Sequence, residues 1–336
     1  NTGNESWVYN DNVNSPKIQK WLKSNVPVNS EDLCRHDKWL CMMYPRLKLL
    51  RDLLNEEGVI FVSINDSEVH NIKILFNEIF SEESFIAQLV WENKEGGGSS
   101  DSKHFKIKHE YILVYAKNKE NLFVKVIKIE DEERYSFEDK YVKERGRYQL
   151  VKLNSASIQY SKSLDYPIKS PDGHDIFPSY GKKRACWRWS KEKLKWGIEN
   201  DFVVIKKDSH NEWAVYTKQY INMDSNGEYI ERTNRPFGVI NKFSSTMATK
   251  NLEELFGKKV FDYSKPYLLI KYLISLVTEG EEIILDSFAG SGTTGHAVFD
   301  LNREDGGKRR FILIEMEEEV IKKITIERIT KIIKSH

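Results

Sequence analysis

Cysteine is scarce in this sequence, proline is sparse, and long apolar runs are missing. Three cysteines, Cys34, Cys41 and Cys186, are too few and too scattered for a disulfide framework or a four-cysteine zinc site. They fit a reducing, cytosolic setting. His36 lies near two of them, but the spacing matches no common zinc pattern, so no metal is expected. No stretch approaches the roughly 18 apolar residues that a membrane-spanning helix needs. With 31% charged residues and a mean hydropathy of −0.57, a membrane protein is excluded. The eight prolines include no Pro-Pro pair, which matters below. The chain opens at Asn1, not Met, with no charged-then-apolar leader after it.

Excess charge of one sign is also missing overall, yet the charge is uneven. The formal net charge is +1, but residues 101–200 hold 22 Lys+Arg against 15 Asp+Glu, so the remainder is acidic. Within that basic third, residues 180–196 (YGKKRACWRWSKEKLKW) carry seven basic residues, one acid and four aromatics. Cations neutralise phosphates, and aromatic faces stack on bases. The plainer alternative is a solvated element whose tryptophans fill a small core.

Periodicity sets out the rest. Residues 32–54 read as a helix, with Leu33, Trp39, Leu40, Met43, Leu47, Leu50 and Leu54 at helical spacing. Pro45 predicts a kink or a break in it. Val59–Ile64 is a continuous apolar run that suits a strand buried on both faces of a parallel sheet. A helix from about Asp66 to Phe80 follows, then strands at Phe85–Trp91 and Glu110–Ala116, separated by the polar, glycine-rich stretch 95–102. From about Asn118 to Arg235, short alternating segments and clustered turn residues predict an inserted β-rich domain. After Pro236 the α/β rhythm returns: a helix at Tyr267–Val277, strands at Glu282–Asp286 and Phe311–Glu315, and a charged helix from about Met316 to Lys334.

The segment with chemistry in it is Ile283–Val298, IILDSFAGSGTTGHAV. A strand runs into Gly290-x-Gly292-x-x-Gly295, where a helix begins; glycines there permit a tight turn and close approach to a ligand. Glu315 follows at the end of the next strand, where nucleotide-binding folds place an acid on ribose hydroxyls. This spacing alone would also serve NAD or FAD. Asp286, closing the strand, argues otherwise, because a carboxylate there binds an ammonium group and repels pyrophosphate. No lysine follows the glycines, against a P-loop ATPase. A ligand with adenosine at one end and an amino acid at the other satisfies these needs, and S-adenosylmethionine is one.

These motifs resemble those of the adenine-specific DNA methyltransferases, in particular the modification (Mod) subunits of type III restriction–modification systems. The resemblance covers nearly the whole chain. Asp286-Ser-Phe-Ala-Gly-Ser-Gly-Thr293 resembles the family's cofactor motif, Phe261-Asp-Tyr-Ser-Lys-Pro266 the segment that closes over the cofactor's methionine end, and Ile314-Glu315 the ribose-binding acid. His36–Leu47, Gly58–Asp66 and His109–Tyr115 resemble core segments of the catalytic half.

The resemblance implies an α/β fold: a Rossmann-like methyltransferase sheet in circularly permuted motif order, with an inserted β-rich target-recognition domain. The expected division is a catalytic half at 1–117, target recognition at 118–235 and a cofactor half at 236–336. It implies S-adenosyl-L-methionine as cofactor, held by Lys265, Asp286, Phe288, Gly290, Ser291, Gly292, Thr293 and Glu315. It implies double-stranded DNA contacted by Lys182, Lys183, Arg184 and Arg188, a homodimer, a restriction (Res) subunit as partner, and a cytoplasmic location. A DNA-recognition module without catalysis and a cytosine-N4 methyltransferase stay open. An NAD oxidoreductase is disfavoured by Asp286, and a small-molecule methyltransferase by the basic insert.

One departure bears on activity. The family's catalytic motif is Asp-Pro-Pro-Tyr, commonly followed by Asn-Thr-Gly; here Asn1-Thr-Gly3 opens the chain and no Asp-Pro-Pro-Tyr occurs in it. In the resemblance, that motif's acid and a proline carbonyl accept the two hydrogens of a flipped-out adenine amino group, localising its lone pair. Trp7, Tyr9 and Asn10–Asn12 then fall beside the base pocket. The 336-residue chain by itself is therefore expected to be inactive: a methylation assay on it should give no turnover, and robust turnover would refute the reading.

Overall fold

Trp39, Met43 and Leu47 recur every four residues and are buried along one face of helix α1 (Leu33–Leu53). Contrary to expectation, α1 runs through Pro45 without a break. Proline offers no N–H to the carbonyl one turn back, and here the Arg46 guanidinium donates to the neighbouring Met42 carbonyl at 2.6 Å. A side chain thus serves the backbone where the ladder is weakened.

The described residues of this computed structural model are 33–94, 103–128, 133–179 and 184–335. The chain divides into two compact units, residues 1–125 with 236–336, and residues 126–235. In the first unit, β1 (Val59–Ile64) leads to α2 (Val69–Phe80), β2 (Phe85–Glu92) and β3 (His109–Ala116). β3 lies between β1 and β2 and is antiparallel to both; β4 (Val239–Ile240) adds parallel to β2. The parallel sheet expected around β1 is thus mostly antiparallel among the described residues. A continuous apolar run reports burial, not strand direction, and only Ile64 of β1 is fully buried. α1 and α2 cover this sheet through Trp39, Leu47, Ile72 and Phe76 against Leu113 and Tyr115. The Tyr115 hydroxyl, buried at its ring, donates to Asn77 Oδ1 at 2.7 Å.

α3 (Ser245–Phe256) starts on Ser244, whose hydroxyl accepts the Met247 N–H at 3.3 Å. Then come α4 (Tyr267–Val277), β5 (Ile283–Asp286), α5 (Thr293–Asp305) and β6 (Arg310–Leu313). β5 and β6 are parallel neighbours joined through α5, a βαβ unit. Among the described residues, no ladder joins this pair to the four-stranded sheet. α4 links them instead. Leu269 and Leu273 pack on Trp91, Ile112 and Ile240, while Ile274, one step round the helix, packs on Ala297, Val298 and Leu301 of α5. Lys271 adds an ion pair to Asp300 at 2.6 Å. The terminal helix expected from about Met316 is present as one continuous helical stretch: Glu318–Val320, a π-helical turn at Ile321–Thr325, and α6 (Ile326–Lys334).

In the second unit, strands Val203–Lys207, Trp213–Tyr220 and Tyr148–Lys152 form a three-stranded antiparallel sheet, with helix Lys191–Glu199 beside it. Its core gathers Leu153, Tyr166, Trp187, Leu194 and Val215. The Lys218 ammonium is buried between Asp139 at 2.7 Å and Asp201 at 3.1 Å. No described helix is long and apolar enough to cross a membrane.

Because α4 carries apolar side chains toward both sheets, truncation there should be costly. Leu273→Ala should lose about 2–5 kcal/mol in urea unfolding, the range for a buried leucine, whereas Ile283→Ala, at a 54% exposed position, should lose far less.

Candidate functional site

β5 ends on Asp286 and the chain turns through 287–292 before α5 starts at Thr293. Gly290 (φ 50°) and Gly292 (φ 76°) sit in the left-handed region. A Cβ on Gly292 would also come within 3.1 Å of Thr325 Cγ2. Gly295 serves packing: a Cβ there would meet Ile329 Cδ1 at 2.6 Å.

The turn is held by a carboxylate. Glu315, just beyond β6 and buried, accepts the Gly290 N–H at 2.9 Å with Oε2, and the Met316 and Glu317 N–H groups at 2.7 and 3.0 Å with Oε1. Ala289 N–H donates to the Ile314 carbonyl at 3.0 Å, and Thr325, at the end of the π-helical stretch, donates its hydroxyl to the Gly290 carbonyl at 2.6 Å. Ribose hydroxyls were the partners expected for Glu315; the structure places its carboxylate on the turn's own backbone.

Asp286 keeps part of its surface open but is closely packed. It accepts the Thr294 hydroxyl at 2.5 Å and the Phe288 N–H at 3.1 Å. Desolvation pushes its pKa above the ordinary aspartate value; these two donors offset part of the rise, and the charge of nearby Glu315 adds to it. Phe288 stands exposed on the turn.

Ser291 and Thr293 meet Ser264, which lies just before α4. Their oxygens form a triangle with sides of 2.8, 3.2 and 3.2 Å. Arg328 of α6 points its Nη1 into it, 2.9 Å from Ser291 Oγ and 3.0 Å from Thr293 Oγ1. Its Nη2 lies 3.2 Å from His296 Nδ1, and the His296 ring stacks on Tyr267 at 3.9 Å. Sequence reasoning missed Arg328. The signal was there: Thr325, Arg328 and Ile332 share the buried face of an otherwise charged segment. Lys265 does not reach this cluster with its ammonium, which pairs with Glu110 at 2.5 Å and lies 4.9 Å from the Trp91 ring centre.

The proposed DNA contacts fall in the second unit. Arg184 and Arg188 are exposed there, whereas Lys182 and Lys183 lie outside the described residues. The aromatics of that segment are turned inward. Trp187 is 1% exposed and donates its indole N–H to the Tyr166 carbonyl at 2.7 Å, and Trp196 packs on Phe202. Of the two readings open for these aromatics, base stacking or a small core, Trp187 takes the second: its ring fills the small core. Trp7, Tyr9, Asn10–Asn12 and stretch 95–102 also lie outside the described residues.

A family model for DNA methylases of the N6/N4 type matches residues 9–327, nearly the whole chain. The chain belongs to that family. Among individual proteins, this methylase is 32% identical to the type III restriction–modification enzyme EcoPI Mod subunit of Escherichia phage P1, over 96% of its own length and 53% of the relative's. It is 31% identical to the StyLTI Mod subunit of Salmonella typhimurium, over 95% and 48%. It is 30% identical to the type II methyltransferase M.KpnI of Klebsiella pneumoniae, over 96% and 74%. The methylase thus spans about half the length of these two type III relatives.

The raised pKa of Asp286 has a definite sign in stability. Between the unfolded and folded pKa values the folded state holds the extra proton, so stability falls as pH rises through that window. Asp286→Asn, which keeps an acceptor for Thr294, should raise the melting temperature of the ligand-free methylase at pH 7 by about 2 °C or more. Calorimetric scans across pH should also show a flatter dependence on the acidic side.

Proposed function

We propose that a protein carrying this chain together with an Asp-Pro-Pro-Tyr motif transfers a methyl group from S-adenosyl-L-methionine to adenine N6 in double-stranded DNA, as the modification and specificity subunit of a type III restriction–modification system, and that the 336 residues alone are inactive. In this reading it acts in the cytoplasm as a homodimer with a restriction (Res) subunit. Residues 1–117 and 236–336 are its catalytic and cofactor halves, and 118–235 its target-recognition domain.

The observation that carries the cofactor is Asp286. A desolvated carboxylate at the glycine turn, with no cation paired to it among the described residues, favours a cationic ligand and opposes the pyrophosphate of a dinucleotide. The glycines leave room for close approach, and Phe288 offers an exposed flat face beside them. S-adenosylmethionine fits these residues: its ammonium suits Asp286, and when bound it supplies a methyl group on an electrophilic sulfonium. Asp286 then orients the donor.

The type III assembly draws its support from the likeness to the EcoPI and StyLTI Mod subunits, whereas adenine as target rests on the motif resemblance, the family covering both N6 and N4 methylases. A second reading has its own observation: the chain covers 74% of M.KpnI, so a type II methyltransferase acting without a restriction subunit fits the same family. Full-length protein incubated with labelled S-adenosylmethionine and duplex DNA, followed by nucleoside analysis, decides the base. N6-methyladenine is expected, and N4-methylcytosine would overturn it. Co-purification of a restriction subunit separates the two systems.

Arg184 and Arg188 are read as phosphate contacts that carry no base information. The double variant Arg184→Ala/Arg188→Ala should weaken duplex binding evenly across sequences and reduce the log–log salt slope by about 2. Fluorescence anisotropy at several salt concentrations measures both.

A further inference from the structure

Arg328 is a guanidinium buried to 2% exposure without an acid. No carboxylate among the described residues pairs with it, and its Nε has no hydrogen-bond partner. Burial pulls its pKa down to about 10, which leaves it charged at neutral pH; the Tyr267 phenol opposes the shift, and no carboxylate among the described residues does. An uncompensated buried charge is costly, so a counter-ion belongs within its reach.

The surroundings define where. Nη1 donates toward Ser291 and Thr293 at 2.9 and 3.0 Å, with Ser264 Oγ at 3.5 Å. Those oxygens therefore turn lone pairs to the guanidinium and their protons away from it. Outside the triangle, the acceptor for these protons is the Lys265 carbonyl, at 3.3 Å from Ser264 Oγ and 3.4 Å from Thr293 Oγ1, long for O–H donors. Two helices also begin here. α4 starts after Pro266 and α5 after Gly292, neither with a side-chain cap, so both present positive ends and free N–H groups. A buried cation, three hydroxyl groups and two helix starts come together where no carboxylate among the described residues pairs with Arg328.

We propose that Arg328 is a positioning residue for a ligand carboxylate: it polarises Ser264, Ser291 and Thr293 as donors and balances the charge of the cofactor's α-carboxylate beside the turn. The inference rests on the S-adenosylmethionine reading and extends it. Asp286 answers the ammonium end and the Arg328 cluster answers the carboxylate. Ser264 and Thr293 each keep 7% of their surface exposed, so the donors, and not the guanidinium, meet the ligand.

Isothermal titration of the full chain with S-adenosylmethionine and with decarboxylated S-adenosylmethionine tests this, since the two differ by the carboxylate alone. The wild type should prefer the carboxylate-bearing ligand by tenfold or more. Arg328→Met should erase that preference while changing affinity for the decarboxylated ligand less than twofold, and Arg328→Lys should restore part of it. Thermal melts establish that the variants are folded; if Arg328→Met is not, Ser264→Ala is the second variant and should cut the preference at least threefold. Equal losses for both ligands would reduce Arg328 to a structural prop and overturn the proposal. A wild type that binds both ligands equally would overturn it alone. A wild type that binds neither would overturn the cofactor reading as well.

Discussion

A glycine-rich turn gains access to its ligand at the expense of order, because each glycine loses more conformational freedom on folding than any other residue. Here the Glu315 carboxylate supplies that order. It gathers the Gly290, Met316 and Glu317 N–H groups, and so ties the turn after β5 to the end of β6. Charge-assisted bonds of this kind are roughly twice as strong as neutral ones. Everything the site offers is placed by this grip: the exposed face of Phe288, the start of α5, and the packed setting of Asp286. Thr325 adds a second tie from the π-helical stretch, an irregularity of the sort that often marks functional sites.

The second constraint is mechanical. β5 and β6 form their own ladder, and α4 carries the connection to the four-stranded sheet through side chains on two faces. The Lys265–Glu110 ion pair, just before α4, reinforces the same link by joining that segment to β3. Lys265 thus contributes to the position of the site with its ammonium and to the hydroxyl cluster with its carbonyl. A motif lysine was legible in the sequence; the pairing of its ammonium with Glu110 was not, because the partner stands 155 residues away.

Local features were the legible ones. Strands, helices and the glycine turn follow from periodicity and from residues within a few positions of each other, and Gly290, Gly292 and Asp286 took their places on that basis. What escaped was non-local. The direction of β1 depends on its neighbour β3, not on its own apolar run. Pro45 is accommodated within α1, where it removes one backbone donor and where the Arg46 guanidinium adds a bond to the Met42 carbonyl of the same turn. Trp187 sits in a strongly basic segment yet fills a core whose other walls, Leu153 and Val215, are distant in sequence. Arg328 looked like one more surface cation in a charged helix, and only the packing of α6 against α5 makes it buried.

Asp286 and Arg328 read best as a pair of opposite, unmet charges. One is a carboxylate whose pKa burial raises, the other a guanidinium whose pKa burial lowers, and neither relieves the other by direct pairing. A fold selected for stability alone would remove both, since well-packed apolar residues commonly match or outdo buried charges. Both flank the turn between β5 and α5, reached from different elements, and a ligand bearing separated positive and negative groups would satisfy both at once. An amino-acid moiety is such a ligand. The instability predicted for the empty site and the zwitterion preference proposed for it would therefore have one cause: two charges, Asp286 and Arg328, that do not pair with each other.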